Sequence, residues 1–184
     1  MNIMTHETSF IDGAKIGEGT NIWHFCHIMK GVKIGKNCNI GQNCVIGPDV
    51  TIGDNCKIQN NVSIFKGVTL EDNVFIGPNV TFTNIINPRA FISRKNQFIT
   101  TLIKKGSSLG ANSTIICGNT IGEFAFVGAA CLVNRDIANY ELVVGNPQRH
   151  LYWVCKCGNK LKRLTCVTCG KKYKRVSDGL EEKY

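Results

Sequence analysis

Large apolar residues recur along this chain at every sixth position. Phe10, Ile16, Ile22, Ile28, Ile34, Ile40, Ile46, Ile52, Ile58, Ile64, Leu70, Ile76 and Phe82 occupy thirteen consecutive steps. Four positions after each comes a smaller residue: Ala14, Thr20, Cys26, Val32, Cys38, Cys44, Val50, Cys56, Val62, Val68, Val74 and Val80 through the first twelve steps. A period of six matches neither a helix nor an ordinary strand, and it predicts an all-β parallel β-helix whose short strands stack coil upon coil. Glycine follows the large residue at Gly17, Gly35, Gly41, Gly47, Gly53 and Gly77, where a permissive corner is expected. With three hexapeptides per triangular coil, residues 10–27, 28–45, 46–63 and 64–81 form four coils in phase.

The phase breaks once. After Phe82 the large residue returns at Ile103, then at Leu109, Ile115, Ile121, Val127 and Val133, and the 21-residue gap is not a multiple of six. Extra residues, about 87–99, are therefore expected to loop out of the stack, and loops of this kind carry binding function or are simply solvated. Beyond Asp136 the stretch ANYELVVGNPQRHLYWV should leave the stack and cap it. The predicted organisation is a repeat domain over 1–138, a cap and linker over 139–154, and a small ribbon-like segment over 155–184.

Ten cysteines look at first like a disulfide framework. Five of them, Cys26, Cys38, Cys44, Cys56 and Cys131, fall in the small interior slot and read as compact hydrophobes, whereas Cys117 lies outside it. The last four, Cys155, Cys157, Cys166 and Cys169, form CxCG and CxxCG. Two close thiolate pairs, each followed by glycine, suit a closed tetrahedral zinc site of structural type, the alternative being reduced or disulfide-linked cysteines.

The formal charge of +9 changes the picture only at the C-terminal end. Residues 1–148 carry twelve Lys and Arg against ten acids, while 149–175 carry nine cations and no acid. Such a segment favours anionic partners or is a solvated surface. Aromatic residues for base stacking are few there, only Tyr152, Trp153 and Tyr173, so nucleic acid is not the expected partner. No apolar run is long enough for a membrane span, and the start lacks the layout of a signal peptide, which predicts a cytoplasmic protein.

The four histidines, His6, His24, His27 and His150, leave residues 28–149 without one. A hydroxyl acceptor usually needs a positioned base, most often His, whereas an amine bound unprotonated does not. For an acyltransferase this favours amine acceptors, with Glu71, Asp72 and Glu123 as the remaining candidate bases. A three-histidine zinc site is excluded by the lack of a third His in the stack.

The segments IWHFCH (22–27), IGQNCVIG (40–47), KIQNNVSIFKGVTLEDNVFIGP (57–78), FTNIINPR (82–89), SRKNQF (93–98) and LGANSTIICGNTIG (109–122) resemble the left-handed β-helix N-acetyltransferases of nucleotide-linked 3-amino sugars. The likeness covers about residues 8–150 and is nearest to the enzymes acting on UDP-2-acetamido-3-amino-2,3-dideoxyglucuronate; a sister activity uses dTDP-3-amino-3,6-dideoxyhexoses. It implies a left-handed β-helix, a homotrimer with active sites between neighbouring prisms, acetyl-CoA toward the C-terminal coils, and a place in bacterial surface-glycan (O-antigen) biosynthesis. In that family the Asn of the FTN motif, here Asn84, holds the sugar amine, and the departing CoA sulfur takes the proton.

His24 and Asn84 are ten hexapeptides apart, which is roughly 16 Å along the stack at about 4.8 Å per strand. His24 is thus too distant to deprotonate an amine held at Asn84, but it can meet the nucleotide. With the resemblance, the expected substrate-binding residues are His24, Asn60, Arg89, Arg94 and Lys95, the last three for the pyrophosphate or a sugar carboxylate. Those expected for CoA are Lys104, Lys105, Gly110, Ala111, Gly128, Ala129 and Arg149. Gln148 in GNPQR replaces the Ala usual in the family, and the cysteine ribbon is an addition the family does not need. From a different class stands a trimeric scaffold carrying a basic zinc-ribbon binding module.

Overall fold

The computed structural model describes residues 2–183. Three parallel sheets of nine, seven and six strands form the faces of a triangular solenoid, here called A, B and C, and a fourth sheet of four strands forms the C-terminal ribbon. No helix occurs among the described residues, so none is long and apolar enough to cross a membrane. Successive rungs are offset by eighteen residues, as in Asn21↔Asn39, Lys57↔Phe75 and His27↔Val45, which is the three-hexapeptide coil expected from the period. The interior is the two sequence series stacked on themselves: Ile22 through Phe82, with Cys26, Cys38, Cys44 and Cys56, are almost fully buried.

Those sulfurs do more than fill space. Cys26, Cys38, Cys44 and Cys56 each donate to a carbonyl of the next coil, at 3.0 to 3.1 Å. Burial pushes the Cys131 thiol up from its ordinary value, which keeps it neutral and inert, whereas hydrogen bonds with Cys44 and Cys56 lower Cys26 and Cys38 to about 7. All ten cysteines are free, and Cys117, outside the repeat slot, is buried too.

Four features differ from expectation. The solenoid begins before Phe10, because Met4–Thr5 pairs in parallel with Asn21–Ile22. Phe10 is not an interior residue: Ile11 stacks on Ile28 while Phe10 lies over His27 and is 63% exposed, so the first step inward is five residues and not six. The strand Glu141–Val144 remains in face A, parallel to Phe126–Val127 at a shortened offset of sixteen, and only Arg149–Trp153 leaves, as an antiparallel partner.

The fourth concerns glycine. The left-handed backbone positions lie two residues beyond the expected ones, at Gly19, Asn37, Asn43, Asp49, Asn55 and Asn79, where Asn and Asp bear positive φ comparatively well. Gly17 and Gly35 have another reason. A Cβ on Gly17 would lie 2.5 Å from the backbone of Gly35, and one on Gly35 2.6 Å from that of Gly53. Close coil stacking, not a special φ, demands glycine at these corners.

The register passes unbroken across the insertion. Val68↔Thr101, Phe75↔Ser108 and Thr81↔Thr114 are offset by 33, fifteen more than a coil. The looped-out chain runs over 83–100, between strands ending at Phe82 and resuming at Thr101.

Candidate functional site

The insertion leaves the stack at the corner between faces B and C, and its neck is Asn84. The Asn84 carbonyl accepts the Ile99 amide at 3.0 Å, while one coil on, the Cys117 amide donates to Thr83 Oγ1 at 2.9 Å. With main chain fixed on both sides, the half-buried Asn84 side chain is held at the mouth of the loop, and among the described residues its side-chain amide has no hydrogen-bond partner. An amide there offers a carbonyl oxygen to an N–H and two N–H donors to an oxygen, and it neither gains nor loses a proton near neutrality. It can orient an amine; it cannot serve as a base.

Beyond the neck the loop folds on itself through an Arg89↔Ile92 bridge, Gln97 N donating to the Arg94 carbonyl at 2.9 Å, and Arg94 Nη1 donating to Gln97 Oε1 at 2.9 Å. These contacts gather Arg89, Arg94 and Lys95 around a cavity of about 530 Å³ walled by Ile85, Phe91, Ile92 and Phe98. Arg94 Nε is buried and has no partner. Three cations on an apolar wall, one with an unspent donor, form an environment suited to a phosphate or carboxylate.

His24 and Asn60 share a different place. They line a groove of about 210 Å³ at the corner between faces A and B, with Trp23, Asn39, Gln42 and Gln59. Trp23 Nε1 donates to Asn39 Oδ1 at 2.9 Å, and the His24 ring stacks on His6 at 3.5 Å between centroids. The substrate-binding set expected from the sequence therefore divides between two corners, and His24 is on a different one from Asn84. His150 pairs with Glu141 at 3.0 Å, and His27 lies against Phe10 at 5.4 Å.

The residues expected for CoA are also dispersed. Gly110–Ala111 and Gly128–Ala129 stack at the A–B corner; a Cβ on Gly110 would lie 2.5 Å from Ala129 N, so coil packing alone accounts for that glycine. Lys104 and Lys105 lie at the C–A corner and face two different cavities. Arg149 is exposed on its antiparallel strand, its guanidinium close to Gly145. Gln148 is 95% enclosed: its Oε1 accepts the Asn134 amide at 2.9 Å and its Nε2 donates to the Arg135 carbonyl at 3.0 Å, so it locks the cap to the last coil.

The four terminal cysteines meet in the ribbon. All four sulfurs lie within 4.8 Å of one another, with Cys155 to Cys169 at 3.4 Å and Cys157 to Cys166 at 3.7 Å. A tetrahedral zinc with Zn–S near 2.3 Å has S···S edges of about 3.8 Å, so this donor set fits such an ion. Asn159, through its side-chain and backbone N–H groups, lowers the Cys157 thiol to about 6, while burial pushes Cys155 up to about 12.

Three residues that carry no repeat signal attach the ribbon. Phe124, Tyr140 and Tyr173 form a continuous aromatic contact, with centroids 5.2 and 5.0 Å apart. The Asn139 amide donates to the Asp178 carbonyl at 2.8 Å, and Leu180 N to the Asn139 carbonyl at 3.3 Å. Lys156 sits over the Phe124 ring of the solenoid, Lys160 and Arg175 over the Tyr152 and Trp153 rings of the antiparallel strand, and Lys171 and Lys174 pair with Glu182 and Glu181 inside the ribbon. Arg135, which the sequence reading passed over, lines a cavity of about 490 Å³ with Lys104, Asp136 and the ribbon residue Asp178. Its only signal is a cation two residues after the interior Val133 rung, and such corners are common in the chain.

Comparison with known proteins places these features. The model of the bacterial transferase hexapeptide (six repeats) matches residues 13–48 and 49–84, and that of the hexapeptide repeat of succinyl-transferase matches 31–66. Over 83 residues the chain is 51% identical to dTDP-3-amino-3,6-dideoxy-α-D-galactopyranose 3-N-acetyltransferase of Aneurinibacillus thermoaerophilus, an alignment covering 44% of this chain and 43% of that protein. The chain thus spans less than half the length of the curated relatives it matches. Among solved structures, a hexapeptide-repeat-containing acetyltransferase of Vibrio cholerae complexed with acetyl-coenzyme A is 27% identical, with a TM-score of 0.52 over 67% of this chain and 70% of that one. An N-acyltransferase of Bacillus cereus in complex with dTDP and 3-hydroxybutyryl-CoA is similar in fold, 20% identical with a TM-score of 0.58 over 83% and 80% of the two chains. Over residues 13–84 the chain is built of bacterial transferase hexapeptide repeats.

Proposed function

We propose that this chain is an acetyl-CoA-dependent N-acetyltransferase acting on the 3-amino group of a nucleotide-linked sugar, in the building of a bacterial surface glycan. The observation that carries this reading is Asn84: a side-chain amide without a partner among the described residues, fixed at the neck of the looped-out insertion, next to a cationic cavity that no histidine lines. The amine nitrogen attacks the thioester carbonyl carbon with its lone pair, the C–S bond breaks, and the leaving thiolate takes the proton that the nitrogen sheds. Asn84 contributes by accepting an N–H and so aiming the lone pair. Arg89, Arg94 and Lys95 would hold the diphosphate or a sugar carboxylate, and His24 and Asn60 the nucleotide end. The CoA group is assigned Lys104, Lys105, Gly110, Ala111, Gly128, Ala129 and Arg149, and its dispersal over several corners fits an extended ligand. A homotrimer with sites between prisms, a left-handed coil and a structural zinc at Cys155, Cys157, Cys166 and Cys169 belong to the same reading.

Sequence resemblance favours a UDP-linked uronate, whereas the relative identical at 51% over 83 residues is named for a dTDP-linked 3-amino-3,6-dideoxygalactose. A direct test covers both. Incubating the protein with acetyl-CoA and a panel of UDP- and dTDP-linked amino sugars, while following free thiol, is expected to give release with 3-amino sugars of one nucleotide. Silence across the panel would reject the enzyme in favour of a scaffold.

His24 supplies an independent check. His24→Ala should leave kcat within a small factor of the wild type and raise KM for the nucleotide sugar, because binding and not proton transfer is lost. Abolished turnover at saturating substrate would contradict a reaction centred on Asn84.

A further inference from the structure

Between the solenoid and the ribbon lies a cavity of about 430 Å³ whose cations come from both sides: Lys105 from the C–A corner of the solenoid and Lys156 from the ribbon, with Asn73, Gly106 and Phe124 between them. Lys156 is held over the cavity by the Phe124 ring, 5.1 Å from its centroid. Glu71 spends one carboxylate oxygen on the Lys105 amide at 2.8 Å. Among the described residues, neither lysine side chain has a carboxylate partner within salt-bridge distance. Two ammonium groups and the Asn73 side chain around one hollow match a phosphate monoester.

Lys156 is placed by the tetracysteine site itself. It follows Cys155 directly, and its amide donates to Tyr173 Oη at 3.0 Å. That leaves the Tyr173 proton to point at Cys155 Sγ, 3.1 Å away, a hydrogen bond to a metal-binding thiolate of the kind that orients such ligands. The Tyr173 ring then continues into Tyr140 and Phe124 of the solenoid. Cysteine tetrad, docking tyrosine and cavity wall form one contiguous unit.

We propose that Lys105 and Lys156 form a phosphate site shared between the two modules, that it takes the 3′-phosphate of CoA, and that it exists only while a metal-loaded ribbon is docked. This rests on the acetyl-CoA reading above: the terminal phosphate is the end of CoA remote from the thioester, and the site lies at the C-terminal coils. The ribbon, otherwise without a role in acyl transfer, thereby becomes part of the cofactor's binding surface.

The test is calorimetric titration of the intact protein with CoA, with dephospho-CoA, and with UDP and dTDP, repeated for Lys156→Ala and Lys105→Ala. Each variant is expected to weaken CoA roughly tenfold, the scale of one lost charge-assisted contact, and to leave dephospho-CoA unchanged. Equal CoA affinity in wild type and both variants overturns the site; a loss confined to UDP or dTDP overturns its assignment to CoA. Removing the metal from the wild type with a chelator should reproduce the variant pattern and speed hydrogen exchange at the Asn139 amide, which the ribbon covers. CoA affinity and Asn139 protection that both survive metal removal overturn the coupling. A wild type that binds no CoA at all is a separate outcome, and it rejects the acetyl-CoA reading itself.

Discussion

Asn84→Ala is expected to lower turnover by about a hundredfold or more while secondary structure and oligomeric state stay unchanged. The magnitude is that of losing orientation at the reacting centre, where a small displacement of the attacking atom removes most of the proximity advantage. The fold should be indifferent, because the structural work at this corner is done by the Asn84 carbonyl with Ile99 N and by Thr83 Oγ1 with Cys117 N, none of which involves the Asn84 side chain. Asn84→Asp separates orientation from electrostatics. A carboxylate in the same position favours the ammonium form of the acceptor, so activity should shift to higher pH and not simply vanish. Steady-state kinetics across pH, with circular dichroism as the control, decide the matter; a fully active Asn84→Ala protein would remove Asn84 from the reaction.

Gly35→Ala should be among the more damaging single methyls in the solenoid, costing on the order of 3 kcal/mol. Its Cβ would stand 2.6 Å from the Gly53 backbone and 2.3 Å from Asp54 Oδ1, which itself accepts the Lys36 amide at 2.7 Å. Coils that stack at strand spacing cannot part locally without breaking the rungs on either side. Gly13 is the comparison: a Cβ there meets nothing within 4 Å, so Gly13→Ala carries only the strain of its φ of +64°, about 1 kcal/mol. Chemical denaturation of the two variants gives the difference, and equal stabilities would show that close stacking is not what keeps glycine at position 35.

Much of this molecule was legible because the repeat is a ruler. The burial of Cys44 or Cys131 follows from phase alone, and so does the place of Asn84 beside the insertion, since a count of six fails only once. What phase does not carry was missed. Met4–Thr5 precedes the repeat, and the residue stacked on the interior Ile22 is Thr5, not a large apolar side chain. Phe10 has the right spacing to Ile16 but the wrong side, because Ile11 supplies the interior group and the first corner is one residue shorter. The glycines were placed correctly and explained wrongly; their cause is the coil above, which is eighteen residues away in sequence. Phe124, Tyr140 and Tyr173 are scattered over fifty residues and become one surface only when the ribbon folds back. The candidate site shows the same division. Arg89, Arg94 and Lys95 share a short loop and were grouped from sequence, whereas Lys105 and Lys156 meet across two modules.

The strand Arg149–Trp153 runs against the grain of face A, and this has a consequence for how the protein coexists with its own copies. Every rung of a parallel solenoid is a template for another like it, and an open last rung invites the first rung of the next molecule, a route to fibres. Here the final strand of face A is paired by one of opposite direction, and Asn139 beside it is occupied by Asp178 and Leu180 of the ribbon. The stack is thereby made finite: the tail that closes it acts as a stop signal written in hydrogen-bond direction.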